Sequence, residues 1–456
     1  MPQPDNGTPP ANQKRISWLE DPMNKKTIRA VTFFAFLTTS FLSVAQAACP
    51  AGTTSKGAIA GKELCALKGS YLSTELVLSS DNAYSIEEGV FFGGDNKENS
   101  TLRIQAGTTI YGNPASFISI MRGSKIFAEG RVDAPIVFTS INVANPKRSD
   151  WGGLVINGNA PINACKAGAS VCEAISEGIK VLPVKFGGND PEENSGVLRY
   201  VRVEFGGYPI SQDNELNGIT FNGVGRGTTV EYIQVHRNSD DGVEFFGGTV
   251  NAKFLLLTEN EDDSLDWDMG WTGKVQFVLV DQGSDKVDNG IEADNLKSPM
   301  NASPRSNPEI SNMTLIGSPN SGYGLLLRRG TAADLKNFIV TGFGKACIDI
   351  EDAETFVNGA AVQGSDVVAT GLKMSSSILN CAQGFEVKAG DAWSTKEWFL
   401  KQAGNIQADP QLNGWVPMAG SPALGQGATP DDLFFDPVDF IGAIGTDDWT
   451  LGWSKK

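Results

Sequence analysis

Carboxylates recur at a steady interval along the middle of this 456-residue chain. Asp241-Gly242-Val243-Glu244-Phe245 is followed by Asp263-Ser264-Leu265-Asp266-Trp267 and then by Asn289-Gly290-Ile291-Glu292-Ala293. Acids spaced in this way can do two kinds of chemistry. Paired carboxyls can act as acid and base on a glycosidic bond, and grouped carboxylates can ligate a hard cation, Ca²⁺ in an exported chain. The candidates for the first are Asp240, Asp241, Asp262, Asp263 and Asp266; those for the second are Glu244, Asp266, Asp268, Glu292 and Asp294. The plain alternative is a solvated acidic face with Asp and Asn chosen for turns.

The elements that must position these residues are short runs of alternating apolar character, separated by Gly, Asn and Asp. That pattern predicts an all-β chain, with helical periodicity only near Ala392–Ala403. The run containing Glu244 has counterparts at Thr220, Asp266, Glu292, Leu326, Asp349 and Glu386, in steps of 24, 22, 26, 34, 23 and 37 residues. A second run, at Val230–Val235, Ala252–Leu257 and Val275–Val280, keeps the same beat. Two interleaved strands in about 23 residues describe one coil of a parallel β-helix, too short for a propeller blade of about 40 residues. Alternation then points Val243, Leu265, Ile291, Leu325, Ile348 and Phe385 inward and the residue after each outward. Glu244, Asp266, Asp268, Glu292 and Asp294 fall on one outward patch, joined by Asp240, Asp241, Asp262, Asp263 and Asp288 in the turns. Neighbouring carboxylates at about 5 Å repel by about 3 kcal/mol at an effective dielectric of 20. Three things can offset that: a raised pKa, a bound cation, or nearby bases such as Arg237, Lys253 and Lys274. Phe246 and Trp271 are candidate exposed aromatics for stacking on a sugar, against core packing as the plainer role.

Composition narrows the field. The chain holds 53 Asp and Glu against 37 Lys and Arg, a net charge of -16, so it has no basic stripe for nucleic acid. A single histidine, His236, cannot build a multi-His metal centre. Met23–Arg29 is basic, Ala30–Val44 is apolar, and Ala45-Gln46-Ala47 is a small-x-small cleavage pattern: a signal peptide over 23–47, with no membrane span in the mature chain. Residues 1–22 are polar and Pro-rich, and they read as untranslated or disordered, with Met23 rather than Met1 as the start. A lipid anchor at Cys49 competes with soluble export, but Gln46 stands where a lipobox has Leu. Removing 1–47 takes the net charge to -18. In an oxidising compartment the six cysteines read as disulfides, Cys49–Cys65, Cys165–Cys172 and Cys347–Cys381 by nearness in sequence.

Ala106-Gly107-Thr108-Thr109-Ile110, Ile126-Phe127-Ala128-Glu129-Gly130 and Pro135–Ser140 resemble the opening coils of secreted right-handed β-helix proteins of the pectin-lyase-like superfamily. Asp150-Trp151-Gly152-Gly153, Asn238–Gly242 and Gly290–Asn295 resemble a group of exported bacterial members within it, and Gly420–Leu424 and Phe440–Ile444 resemble the closing segment of many such proteins. The resemblance implies a right-handed parallel β-helix. The repeat places the solenoid over 101–391, and because an open terminal coil exposes a sheet edge and a core, 48–100 reads as an N-terminal cap and 392–456 as a C-terminal cap and tail. The resemblance implies an activity only loosely, since the fold hosts lyases, hydrolases, adhesins and spikes. The Gly-His-Gly and Arg-x-Lys of polygalacturonase-like enzymes are absent; His236 sits in Val235-His236-Arg237 and reads as a polar strand-end residue. A lyase would need Arg237, Lys274, Arg328 or Arg329 as its base. The expected role is binding or structural, outside the cell, on its surface or in the periplasm, engaging cations, a polysaccharide or another cell-surface component. The alternative is a polysaccharide lyase or glycoside hydrolase.

Overall fold

The computed structural model describes residues 47–179, 182–210, 216–364 and 366–456. The expected signal peptide, except Ala47, and the segment before it lie outside the described residues. Among the described residues, twenty-five strands join one continuous, almost wholly parallel sheet that winds as a right-handed β-helix. Among the described residues no helix is long and apolar enough to cross a membrane.

One face stacks Leu154–Asn157, Ile219–Asn222, Val243–Phe246, Leu265–Asp268, Ile291–Ala293, Tyr323–Leu327 and Ala346–Ile350. The second run is longer than its sequence pattern implies. Gly196–Glu204, Thr229–His236, Ala252–Thr258, Lys274–Asp281, Glu309–Ile316 and Ala333–Thr341 each bend at one residue and supply two further faces. Those corner residues are Tyr200, Tyr232, Phe254, Phe277, Asn312 and Asn337, all with φ between 49° and 63°. Left-handed backbone suits Asn, but it costs a bulky residue about 1–2 kcal/mol. Stacking offsets this: the rings of Tyr200, Tyr232, Phe254 and Phe277 lie 4.3, 4.3 and 4.8 Å apart in succession. Val243, Leu265, Ile291, Leu325 and Ile348 all point into the core and are fully buried, as alternation requires.

Both ends differ from the expected layout. Pairing of coils begins within 48–100: Lys62–Tyr71 lies parallel to Ala83–Phe92, and Glu75–Leu78 parallel to Thr101–Ile104. The covering element is Thr54–Ile59, which pairs antiparallel with Lys62–Tyr71 and so blocks its open edge. At the other end, helix α1 (Ala353–Gly359) was not foreseen, and α2 (Thr395–Lys401) buries Trp398 and Phe399. The chain after α2 then turns back as a strap along the aromatic corner. Ala428, Asp436 and Lys455 donate their amides to Asn337, Gln276 and Gln234, while Gly442 donates its own to the Asn337 carbonyl. The outward amide side chains of the coils thus bind the tail along the flank, so 392–456 is only in part an end cap. Disulfides join Cys49–Cys65, Cys165–Cys172 and Cys347–Cys381.

Coil stacking leaves some backbone positions no room for a side chain. A Cβ on Gly196, at φ +116°, would stand 1.9 Å from the Ile126 carbonyl, whereas Gly414, at φ +60°, has nothing within 4 Å. Gly196→Ala is expected to lower unfolding stability by ~3 kcal/mol or more, and Gly414→Ala by only ~1 kcal/mol, read from chemical denaturation midpoints.

Candidate functional site

The carboxylate ladder forms in the expected register. Thr220, Glu244, Asp266, Glu292 and Leu326 are paired neighbours in successive coils, as are Asn222, Phe246 and Asp268. Its environment differs from the expected exposed patch, because pointing away from the core is not the same as facing water. Glu244 and Asp266 are each 8% exposed and Asp294 is 3% exposed. The excursion between Asn157 and Gly196 folds over this face. Its Ile179 and Val184 pack on Val155, and its Ile162 and Phe186 pack on Phe246. Phe246 and Trp271 are therefore covered rather than free for a sugar, and Trp271 stacks on Phe245 at 4.1 Å inside the core.

The turn acids are also partly structural. Asp241 accepts the Asp263 amide, Asp263 accepts the Asn289 amide, and Asn289 accepts the Tyr323 amide, at 3.0, 2.8 and 2.9 Å. Each of these side chains ties one coil to the next. Asn217 occupies the same position one coil earlier, and its side chain donates to Glu244 at 2.5 Å. Sequence reasoning missed Asn217 as a site residue, although its place two residues before the strand matched that of Asp241 and Asp263.

Bases compensate only one end of the ladder. Arg328 donates to Asp294 at 2.9 Å and also binds Glu292, and Arg329 donates to Asp294 at 2.5 Å. Further along, Lys388 bridges Asp349 and Glu351. The other expected bases are elsewhere: Arg237 pairs with Glu259, Lys253 with Asp436 and Lys274 with Asp432. The strap attracts those two lysines away from the ladder. Among the described residues, no ion pair reaches Asp241, Glu244, Asp263 or Asp266.

Two sets of three carboxylates, Asp241–Glu244–Asp266 and Asp263–Asp266–Glu292, bring ligand atoms within 4.8 Å of one another. Asp266 belongs to both, and its Oδ1 is buried with no partner among the described residues. A third set, Asp240–Asp241–Asp262, leads outward from the buried cluster. Asp240 and Asp262 line open grooves of about 390 and 500 Å³ that share Glu261 and Asp262. Asp268 lies beside the cluster on the second column, and Asp294 is held by the arginines. Burial first, then neighbouring acids, pushes Asp241, Glu244, Asp263 and Asp266 well above the ordinary carboxylate range. Burial raises Asp268 to about 6, and it raises Glu292 to about 7 against the pull of Arg328. His236 is buried, within 2.8 Å of the Thr258 hydroxyl, and burial and nearby bases lower it to about 3. It stays neutral in a structural role.

Residues 69–416 match the model of the pectate-lyase-like β-helix domain family. The Dettilon tailspike protein is similar at 10% identity, over 74% of this chain and 62% of that one, with a TM-score of 0.32. The chain thus spans less than two thirds of that protein. The periplasmic alginate epimerase AlgG is similar at 11% identity, over 76% of this chain and 85% of that one, with a TM-score of 0.27. No curated protein matches the sequence.

The raised carboxyls fix a direction of pH dependence. Their protons are bound more tightly folded than unfolded, so the stability they give is full below the ordinary carboxylate range. It is lost as pH rises through the folded values of about 6 for Asp268 and about 7 for Glu292. In EDTA, the melting temperature is expected to fall between pH 5 and pH 8, and Asp268→Asn to flatten that fall. A melting temperature that rises over this interval would contradict the assignment.

Proposed function

The chain belongs to the pectate-lyase-like β-helix domain family, and from that premise we propose an exported, non-catalytic binding role. The buried carboxylates hold a divalent cation, and the adjoining acidic groove engages a polysaccharide or another cell-surface component. The observation that carries this reading is the unpartnered, buried Oδ1 of Asp266 at the junction of two carboxylate sets. An acceptor in that position costs free energy unless a proton or a cation meets it. The donors are all hard oxygens, which suit Ca²⁺ better than a soft or imidazole-seeking metal. Asp266 would hold the ion with Asp241 and Glu244 on one side or with Asp263 and Glu292 on the other, and the ion would supply positive charge and fix the neighbouring coils. Asp268 and Asp294 stand in the next column, the latter already tied to arginine.

An enzymatic reading rests on Asp240 and Asp262, which reach the groove. It lacks support from the candidate bases. Arg328 is tied to two carboxylates that hold its proton in place, and Asp241 and Asp263 are buried and accept backbone amides. A binding role needs no proton transfer from any of them. Export to the outer surface, the extracellular space or the periplasm is part of the proposal.

Calcium added to EDTA-treated protein should bind saturably in calorimetry and raise the melting temperature. At a hundredfold excess over Kd the stabilisation should reach about 2.7 kcal/mol. Asp266→Asn should remove both effects while the folded circular dichroism spectrum persists. No heat and no thermal shift with Ca²⁺, Mg²⁺ or Mn²⁺ would refute the cation site. Release of an ultraviolet-absorbing unsaturated product or of new reducing ends from a polysaccharide panel would refute the non-catalytic assignment.

A further inference from the structure

A second concavity, of about 390 Å³, lies between the C-terminal strap and the aromatic corner. Phe254 and Phe277 form its floor. They stack on each other at 4.8 Å, and Tyr232 stacks on Phe254 at 4.3 Å, so the floor is a continuous aromatic surface. Phe440 and Trp449 come from the strap and stand 6.4 Å from Phe277 and 5.4 Å from Phe254. Their placement is built into the fold. Gly445 leaves room for the Phe440 ring, which would lie 2.6 Å from a Cβ there. Trp449 donates its indole N–H to the Ala443 carbonyl, and Ala443 donates its amide to Thr314 of the coil.

The polar lining is one-sided. Asp439 and Asp447 are exposed at the cavity, and neither carboxylate has a hydrogen bond or ion pair among the described residues. Asp436 also lines it but is tied to Lys253 at 2.7 Å. Among the described lining residues, the one side-chain donor not already committed is the Thr446 hydroxyl, since the Trp449 indole N–H is taken. A sugar offers acceptors as well as donors, and its acceptors would meet few side-chain donors here. An apolar cation needs no donor from the protein. Its alkyl groups gain from the aromatic lining, and its charge gains from the two carboxylates on a chain already at -16.

We propose that this pocket binds a small alkylammonium ion, with its carbon shell against Phe254, Phe277, Phe440 and Trp449 and its charge beside Asp439 and Asp447. The site is separate from the carboxylate ladder, and neither proposal depends on the other.

Choline is the probe, titrated by calorimetry and followed by tryptophan fluorescence, with its neutral isostere dimethylbutanol run in parallel. Saturable choline binding is expected, at least tenfold tighter than the isostere and weakened by salt. The Asp439→Asn/Asp447→Asn double variant changes only exposed side chains and should keep its melting temperature. It should lose at least tenfold in choline affinity without changing the response to the isostere. Trp449→Phe should abolish the fluorescence change while retaining the heat. Absence of saturable choline binding, or equal affinity for choline and the isostere, would overturn the proposal. So would undiminished choline binding by the double variant. Phosphatidylcholine vesicles carry the same headgroup, and binding to them but not to free choline would overturn the free-ligand assignment.

Discussion

Parallel, in-register stacking of coils is the constraint on which the rest of this structure depends. Each residue sits on its equivalent in the next turn, one inter-strand spacing of about 4.8 Å away. Like is therefore set on like, and the consequence differs with the side chain. Aliphatic residues stacked inward give the continuous core of Val243, Leu265, Ile291, Leu325 and Ile348. Amides and acids at the turn pass hydrogen bonds from coil to coil, as Asp241, Asp263 and Asn289 do. Carboxylates stacked outward repel, and that one register makes both the backbone order and the charge problem.

The corners show the same rule acting on backbone strain. Tyr200, Tyr232, Phe254 and Phe277 hold a left-handed conformation that aromatic residues disfavour singly. In a stack, each ring covers the next, and the strap covers the stack with Trp449 and Trp453. Where the aromatics end, Asn312 and Asn337 take over the corner, and their side chains grip the strap through Phe440, Gly442 and Ala428. The corner thus changes from an apolar seam to a polar clamp without any change in backbone geometry.

Much of this was legible because a repeat multiplies weak signals. A single Val243-Glu244-Phe245 says little, but its recurrence at Leu265 and Ile291 assigns face, register and neighbours together. What the repeat could not supply lay in the parts that do not repeat. The excursion after Asn157 has no counterpart in other coils, so its cover over Glu244 and Phe246 left no periodic trace, and outward residues were read as exposed. The strap is likewise non-repeating, and it draws Lys253 and Lys274 away from the acids they were expected to neutralise. The mid-strand corners were missed because an aromatic residue in left-handed backbone contradicts local preference, and only the stack makes it tolerable.

The distribution of compensation along the ladder bears on why the acids are there. At Glu292 and Asp294 the repulsion is met by Arg328 and Arg329, and at Asp349 by Lys388. The same scaffold could have placed bases beside Glu244 and Asp266, since Leu326 and Arg328 show that these columns accept other side chains. A set of buried carboxylates with no base costs stability in proportion to its desolvation. Turn formation explains Asp241 and Asp263, whose oxygens accept backbone amides, but it does not explain Asp266, whose Oδ1 is buried without a partner among the described residues. A residue that only needed to point outward there could be Thr, as Thr220 is two coils earlier. The uncompensated centre is therefore the part of the ladder whose charge folding does not require, and where a positive partner from outside the chain would gain most.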